Sequence, residues 1–179
     1  MSRLSKGLLL ASAVAVVVGL GALAWQARQQ VQTVGVTVGD PAPSFVLPAL
    51  SGSFVNLSAL RGRPVMLNFF TSFCQACRNE APGIEQLQQR FAGRAQVIGM
   101  DLTVSEPSLE AVRQYVAQFD ISYPIALDRT GSTADRYGVS AIPLTVFVDR
   151  NGKVRSVVTG QMGSHQMMSQ MQAVVGTDP

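Results

Sequence analysis

Cys74 and Cys77 are the only two cysteines of the chain. They stand in the run Thr71-Ser72-Phe73-Cys74-Gln75-Ala76-Cys77-Arg78-Asn79-Glu80-Ala81-Pro82. Two sulfurs at this spacing admit three chemistries: a structural disulfide, half of a metal site, or a redox couple. A bridge over so short a loop constrains little chain entropy. A zinc site needs about four ligands, and beyond the two sulfurs the chain offers the lone His165. A redox couple fits best, because an apolar run leads into the pair and a helical pattern follows it. A cysteine at a helix N-terminus faces unsatisfied N–H groups and the positive end of the helix dipole, which favour its thiolate. Cys74 is therefore the expected attacking sulfur. Cys77, about one turn further along and further from the helix end, is the expected resolving sulfur.

The elements that must position this pair are legible on either side. Val65-Met66-Leu67-Asn68-Phe69-Phe70 has the length and composition of a buried strand. After the cysteines, Ile84, Leu87 and Phe91 fall on one helical face. Pro82 is expected to kink that helix, and Gly93 to close it. Upstream, two short apolar runs, Phe45–Leu47 and Phe54–Leu57, flank Ser51-Gly52 and predict a hairpin. Downstream, Val97–Leu102 reads as a second strand, parallel to the first across a right-handed crossover. Ser105-Glu106-Pro107 is expected to open a helix with Leu109, Val112, Val116 and Phe119 inward. A short strand at 122–128, a short helix from Ser132 to Tyr137 stopped by Gly138, and a hairpin of Leu144–Val148 with Val154–Thr159 follow. Ser164 is expected to cap a last helix ending at Val175, with Met168, Met171 and Val175 inward.

The formal charge of +3 resides in Arg3, Lys6 and Arg28, and the rest of the chain is balanced, so nothing electrostatic points to nucleic acid. Residues 8–25 carry no charge and are just long enough to cross a bilayer. With Arg3 and Lys6 before this run and Trp25 at its end, residues 1–28 are expected to form a transmembrane signal-anchor. The rival reading is a cleaved signal peptide, with Ala22-Leu23-Ala24 as the cleavage site. Residues 29–38 would be a linker and 39–179 one domain. The expected localisation is the cytoplasmic membrane, single-pass, with the catalytic domain on the extracytoplasmic face, where disulfides persist.

The order of strand, Cys-x-x-Cys helix, strand, proline-led hairpin and final helix resembles thioredoxin. Within that superfamily the chain is similar to the TlpA-like group, and in particular to the ResA type of thiol–disulfide oxidoreductase of cytochrome c maturation. The matching stretches are 55–62, Leu67-Asn68-Phe69-Phe70, Cys77-Arg78-Asn79-Glu80-Ala81-Pro82 and 157–162. The resemblance implies an α/β, thioredoxin-like fold: a central mixed β-sheet flanked by helices, with an N-terminal β-hairpin and a helix-strand insertion between Ser105 and Asp128. It implies a role for Glu80, since Asn68 stands where thioredoxins bury an acid and cannot exchange a proton. A buried carboxyl beside two thiols suits proton transfer from Cys77; the alternative is a surface Glu80 paired with Arg78 or Arg63. It also implies a cis-proline at Pro143, which would place the backbone of Ile142 against the disulfide to meet a substrate segment. Phe73 replaces the usual Trp before the first cysteine and keeps its apolar cover. Ala76 and Leu144 are further departures.

The expected function is reduction of disulfides in partner proteins, with apocytochrome c as favoured substrate and electrons from a transmembrane thiol donor. No organic cofactor or metal is implied, and a monomer is expected. Two other readings stand beside it. One is a peroxiredoxin-like thiol peroxidase, because Thr71-Ser72-Phe73-Cys74 imitates Thr-x-x-Cys. The other is a thioredoxin-like copper chaperone, which would need His165 as a ligand.

Overall fold

The all-apolar run with a single Asn forms the middle of the structure. In the computed structural model, which describes residues 35–176, strand β3 (Val65–Phe70) is buried at every position. It has neighbours on both sides and packed faces above and below, which is why its pattern is continuous rather than alternating. The five-stranded sheet has the order β5-β4-β3-β6-β7. Here β4 is Gln96–Asp101, β5 is Ile125–Leu127, β6 is Leu144–Val148 and β7 is Val154–Thr159. β3, β4 and β5 run parallel, while β6 and β7 are antiparallel to their neighbours. A separate antiparallel hairpin, β1 (Val46–Pro48) with β2 (Phe54–Asn56), precedes them. It is tied to the sheet edge by the Leu50 N–H on the Ile125 carbonyl, 2.9 Å.

The two faces of β3 feed two cores. Met66 and Phe70 point to a cluster with helix α1 (Gln75–Arg90), helix α2 (Leu109–Gln118) and helix α4 (Ser164–Val175). Val65, Leu67 and Phe69 point the other way, to the hairpin and to helix α3 (Ser132–Tyr137). Asn68 shares the parity of Met66 and Phe70, so it faces α1. Gly99 of β4 is required by packing: a Cβ there would lie 2.5 Å from Ile125 Cδ1 and 3.2 Å from both the Phe70 and Tyr123 rings.

Most expected elements stand where the periodicity put them, and α3, β6 and β7 have the expected bounds. Local expectations are corrected at α2 and α4. Residues Thr103–Ser105 form a 3₁₀ turn, and α2 starts only at Leu109. Its cap is Ser108, whose Oγ accepts the Ala111 N–H at 3.2 Å. Val112 is buried as expected, Leu109, Val116 and Phe119 pack partly buried against the same core, and Tyr115 joins Val112 as the second fully enclosed residue. The cap of α4 is Gly163, not Ser164, and its inward stripe is Met167, Met171 and Val174. That stripe has spacings of four and three, and Met167 packs its sulfur towards Gly83 of α1.

The expected single-pass localisation is also corrected: among the described residues no helix is long and apolar enough to cross a membrane. The run 8–25 on which that expectation rested, and the whole segment 1–28, lie outside the described residues, as do linker residues 29–34.

Candidate functional site

β3 delivers the chain to the site, and a tight turn starts α1. The Cys74 N–H donates to the Thr71 carbonyl at 3.2 Å, closing a turn over Ser72 and Phe73. Cys74 is the N-cap of α1, with extended backbone (φ −70°, ψ 113°), and its Sγ accepts the Cys77 N–H at 3.2 Å. A sulfur in that position fills the role that Ser or Asp oxygen usually fills, and it meets the orphan donors that stabilise a thiolate. Cys74 and Cys77 are joined as a disulfide with Cα atoms 5.3 Å apart. Cys74 is half-buried, whereas Cys77 is buried. α1 continues through Pro82 as one helix to Arg90.

Glu80 lies one turn beyond Cys77 and is 2% exposed. Its Oε1 accepts from Asn68 Nδ2 at 2.8 Å, and its Oε2 accepts the Met162 N–H at 3.1 Å. The amide of Asn68 also donates to Thr145 Oγ1 at 3.0 Å. Asn68 and Thr145 are direct partners in the β3–β6 register, so the sheet itself aims this amide. Burial pushes the Glu80 carboxyl above its ordinary range, against the lowering effect of the Met162 and Asn68 hydrogen bonds. The alternative of a surface Glu80 paired with Arg78 or Arg63 does not describe this arrangement. Arg78 instead donates from Nη1 to the Ser72 carbonyl at 2.9 Å and from Nη2 to Gln118 Oε1.

The Ile142–Pro143 bond is cis. Pro143 is buried, and Ile142 is half-buried between the two cores, one of which also contacts Cys74. The Pro143 carbonyl accepts the Gly160 N–H at 2.7 Å, which ties this loop to the segment that delivers Met162. Phe73 is 61% exposed beside Cys74. His165 is exposed on α4.

Several residues around the site were not singled out from sequence. Tyr115 of α2 is buried, stacks on Phe70 with ring centroids 4.8 Å apart, and its OH donates to the Cys77 carbonyl at 3.4 Å. Burial, with the Glu80 charge adding to it, pushes its phenol well above the ordinary range, so it is a donor at any working pH. Ser72 is held by Glu106, whose carboxylate accepts both the Ser72 N–H and, at 2.6 Å, its Oγ–H. Asp101, at the end of β4, is fully buried, and burial, with Glu106 and Asp128 nearby, pushes it up to about 7 despite the Thr103 hydrogen bond. The helical phase of α2 could have marked Tyr115. Nothing local marks Glu106, Ser72 or the Met162 N–H, which meet the site from a distance in the chain.

A thioredoxin-like sheet carrying a Cys-x-x-Cys disulfide at the N-terminus of a helix defines a thiol–disulfide oxidoreductase. The chain belongs to the AhpC/TSA family, whose model matches residues 38–157. It is 35% identical over 134 residues to thioredoxin-like protein YneN of Bacillus subtilis, covering 75% of this chain and 78% of that one. It is 33% identical over 139 residues to thiol-disulfide oxidoreductase ResA of Geobacillus thermodenitrificans, covering 78% and 79%. Among solved structures, a putative thiol:disulfide interchange protein DsbE from Chlorobium tepidum matches with a TM-score of 0.73 and 32% identity. That match covers 79% of this chain and all of the other. These relatives bear out the ResA-type resemblance and the expected fold.

Proposed function

We propose that this oxidoreductase works as a reductase of protein disulfides, with the oxidised Cys-x-x-Cys-His segment of apocytochrome c as its favoured substrate. The Cys74 thiolate attacks one substrate sulfur, the substrate S–S bond breaks, and a mixed disulfide forms. The other substrate sulfur leaves as a thiolate and takes up a proton. Cys77 then loses its proton to Glu80 and attacks Cys74 Sγ. The second substrate sulfur leaves as a thiolate and takes the proton back from Glu80, and the Cys74–Cys77 disulfide is left behind. A thiol donor protein returns two electrons and restores the dithiol. Phe73 and the Ile142–Pro143 backbone flank the approach of the substrate chain.

The observation that carries this reading is the buried Glu80, one turn from Cys77 and held by Asn68 and Met162. An acid with a raised pKa beside the resolving sulfur suits the step in which that sulfur must lose a proton. The cytochrome assignment rests on the resemblance to the ResA type. The peroxidase alternative is weakened by Cys77, which meets the Cys74 sulfur within its own helical turn.

The test is the midpoint potential of the Cys74–Cys77 couple, with single-turnover reduction of an oxidised Cys-x-x-Cys-His peptide. A potential near the thioredoxin end, roughly −270 mV, with rapid reduction of the peptide, supports the reading. A potential near the strongly oxidising end, roughly −120 mV, would make the protein a disulfide donor and end it.

A further inference from the structure

Ser72 is the corner residue of the turn that presents Cys74, and three separate hydrogen bonds hold it. Glu106 takes its N–H and its hydroxyl, and Arg78 donates to its carbonyl at 2.9 Å. Arg78 is itself fixed, with Nη2 on Gln118 and the guanidinium 5.2 Å from the Phe119 ring centroid. Two of these anchors, Glu106 and Gln118, belong to the segment between β4 and β5. The result is a contrast between neighbours: Ser72 is buried at 5% exposure, while Phe73, the other corner residue, is 61% exposed. Pinning the first residue of a two-residue corner sets the direction of the second. An exposed phenylalanine on a fixed backbone, one residue before the attacking sulfur, is a rigid apolar contact with little rotamer entropy to lose on binding.

Glu106 is an awkward choice for a purely structural tie. It lies next to the fully buried Asp101, whose Oδ1 has no hydrogen-bond partner among the described residues. Two neighbouring carboxyls resist joint ionisation, and a neutral glutamine would relieve that. It could not, however, accept two hydrogen bonds on two oxygens.

We infer that Glu106 is a positioning residue of the exchange reaction: acting through Ser72, it fixes Phe73 as the docking contact for the polypeptide flanking a substrate disulfide. Phe73 then discriminates chain-borne disulfides from small ones, which need only reach Cys74. This rests on the proposed use of Phe73 but not on cytochrome as the substrate.

The test uses the reduced protein in single turnover against three oxidants: an oxidised Cys-x-x-Cys-His peptide, the same peptide lacking the histidine, and dithiodipyridine as a small disulfide. Glu106→Ala is expected to slow both peptides about tenfold, within the range a small misplacement produces, and dithiodipyridine less than about twofold. Phe73→Ala, at an exposed position, is expected to do the same. The double variant is expected to be no slower than Phe73→Ala alone, because one residue acts through the other. Glu106→Gln should recover part of the loss, and Ser72→Ala should show a smaller loss with the same selectivity, even if Glu106→Ala folds poorly. Equal slowing of peptides and dithiodipyridine, or additive losses in the double variant, overturns the inference. Indifference to the peptide histidine, with the Glu106 dependence intact, counts against the cytochrome reading and leaves the positioning role standing.

Discussion

Replacing Glu80 by Gln removes one ionisable group from the neighbourhood of Cys77 while keeping the side chain's length. The two residues are three apart on α1, which places their side chains on one face roughly 6 Å apart. At an effective dielectric constant of about 20, two unit charges at that distance repel by about 3 kcal/mol, or about two pKa units. An ionised Glu80 therefore holds back the Cys77 thiolate by that amount, and the pair loses its protons in two coupled steps. In a Cys74→Ser background, the ultraviolet absorbance of the thiolate followed against pH reads Cys77 alone. Glu80→Gln is expected to lower the Cys77 midpoint by about two units. The Gln carbonyl can accept from Asn68 or from the Met162 N–H but not from both, so its NH2 faces the remaining donor, and an unfolding curve of the variant checks that the fold tolerates this. An unchanged midpoint, within about half a unit, would mean that the two groups do not share a field. The proton-transfer role of Glu80 would then be lost.

Three further outcomes are expected. Asp101, held up to about 7 from 3.8, and Glu80, also raised, are both more readily protonated in the folded state than in the unfolded one. They add stability that is complete below about pH 4 and lost as pH rises through their folded values. Denaturant midpoints of the oxidised protein should therefore fall between about pH 4 and pH 7, and Asp101→Asn should flatten that slope. Gly99→Ala should cost about 1–3 kcal/mol in chemical unfolding, because its Cβ would press on Ile125, Phe70 and Tyr123. Tyr115→Phe keeps the stack on Phe70 and loses the bond to the Cys77 carbonyl, so it should cost no more than about 1 kcal/mol in the same assay.

What could be read from the sequence follows the distance over which each feature is determined. β3, α3, β6 and β7 are set by local period and by Gly or Asn-Gly stops, and they appear with the expected bounds. The Cys74 cap is equally local, since strand, turn and helix adjoin in the chain. The start of α2 differs from the expected one because Pro107 imitates a first-turn proline, while the capping oxygen belongs to Ser108. The most buried stripe of α4 differs from the expected one because its five Met and Val positions permit two stripes: Met167, Met171 and Val174 are buried, with Met167 against Gly83 of α1, while Met168 and Val175 pack partly buried at the same core. Glu80 was visible by its spacing from Cys77. Its partners were not: Asn68 reaches it through strand parity, and Met162 through a loop 82 residues away. Glu106 reads locally as a helix-opening residue, and only the folded chain brings its carboxylate to Ser72.

The sulfur of Cys74 is both the reacting atom and the cap of its own helix. These two duties are linked. In the disulfide the sulfur is a weak acceptor for the Cys77 N–H, whereas as a thiolate it carries a full negative charge towards the same donor. The first turn of α1 is thus fastened more tightly in the reduced, ionised protein than in the oxidised one. Hydrogen exchange at the Cys77 amide should accordingly slow on reduction, so that a single backbone proton reports the oxidation state of the couple without any label at the sulfurs.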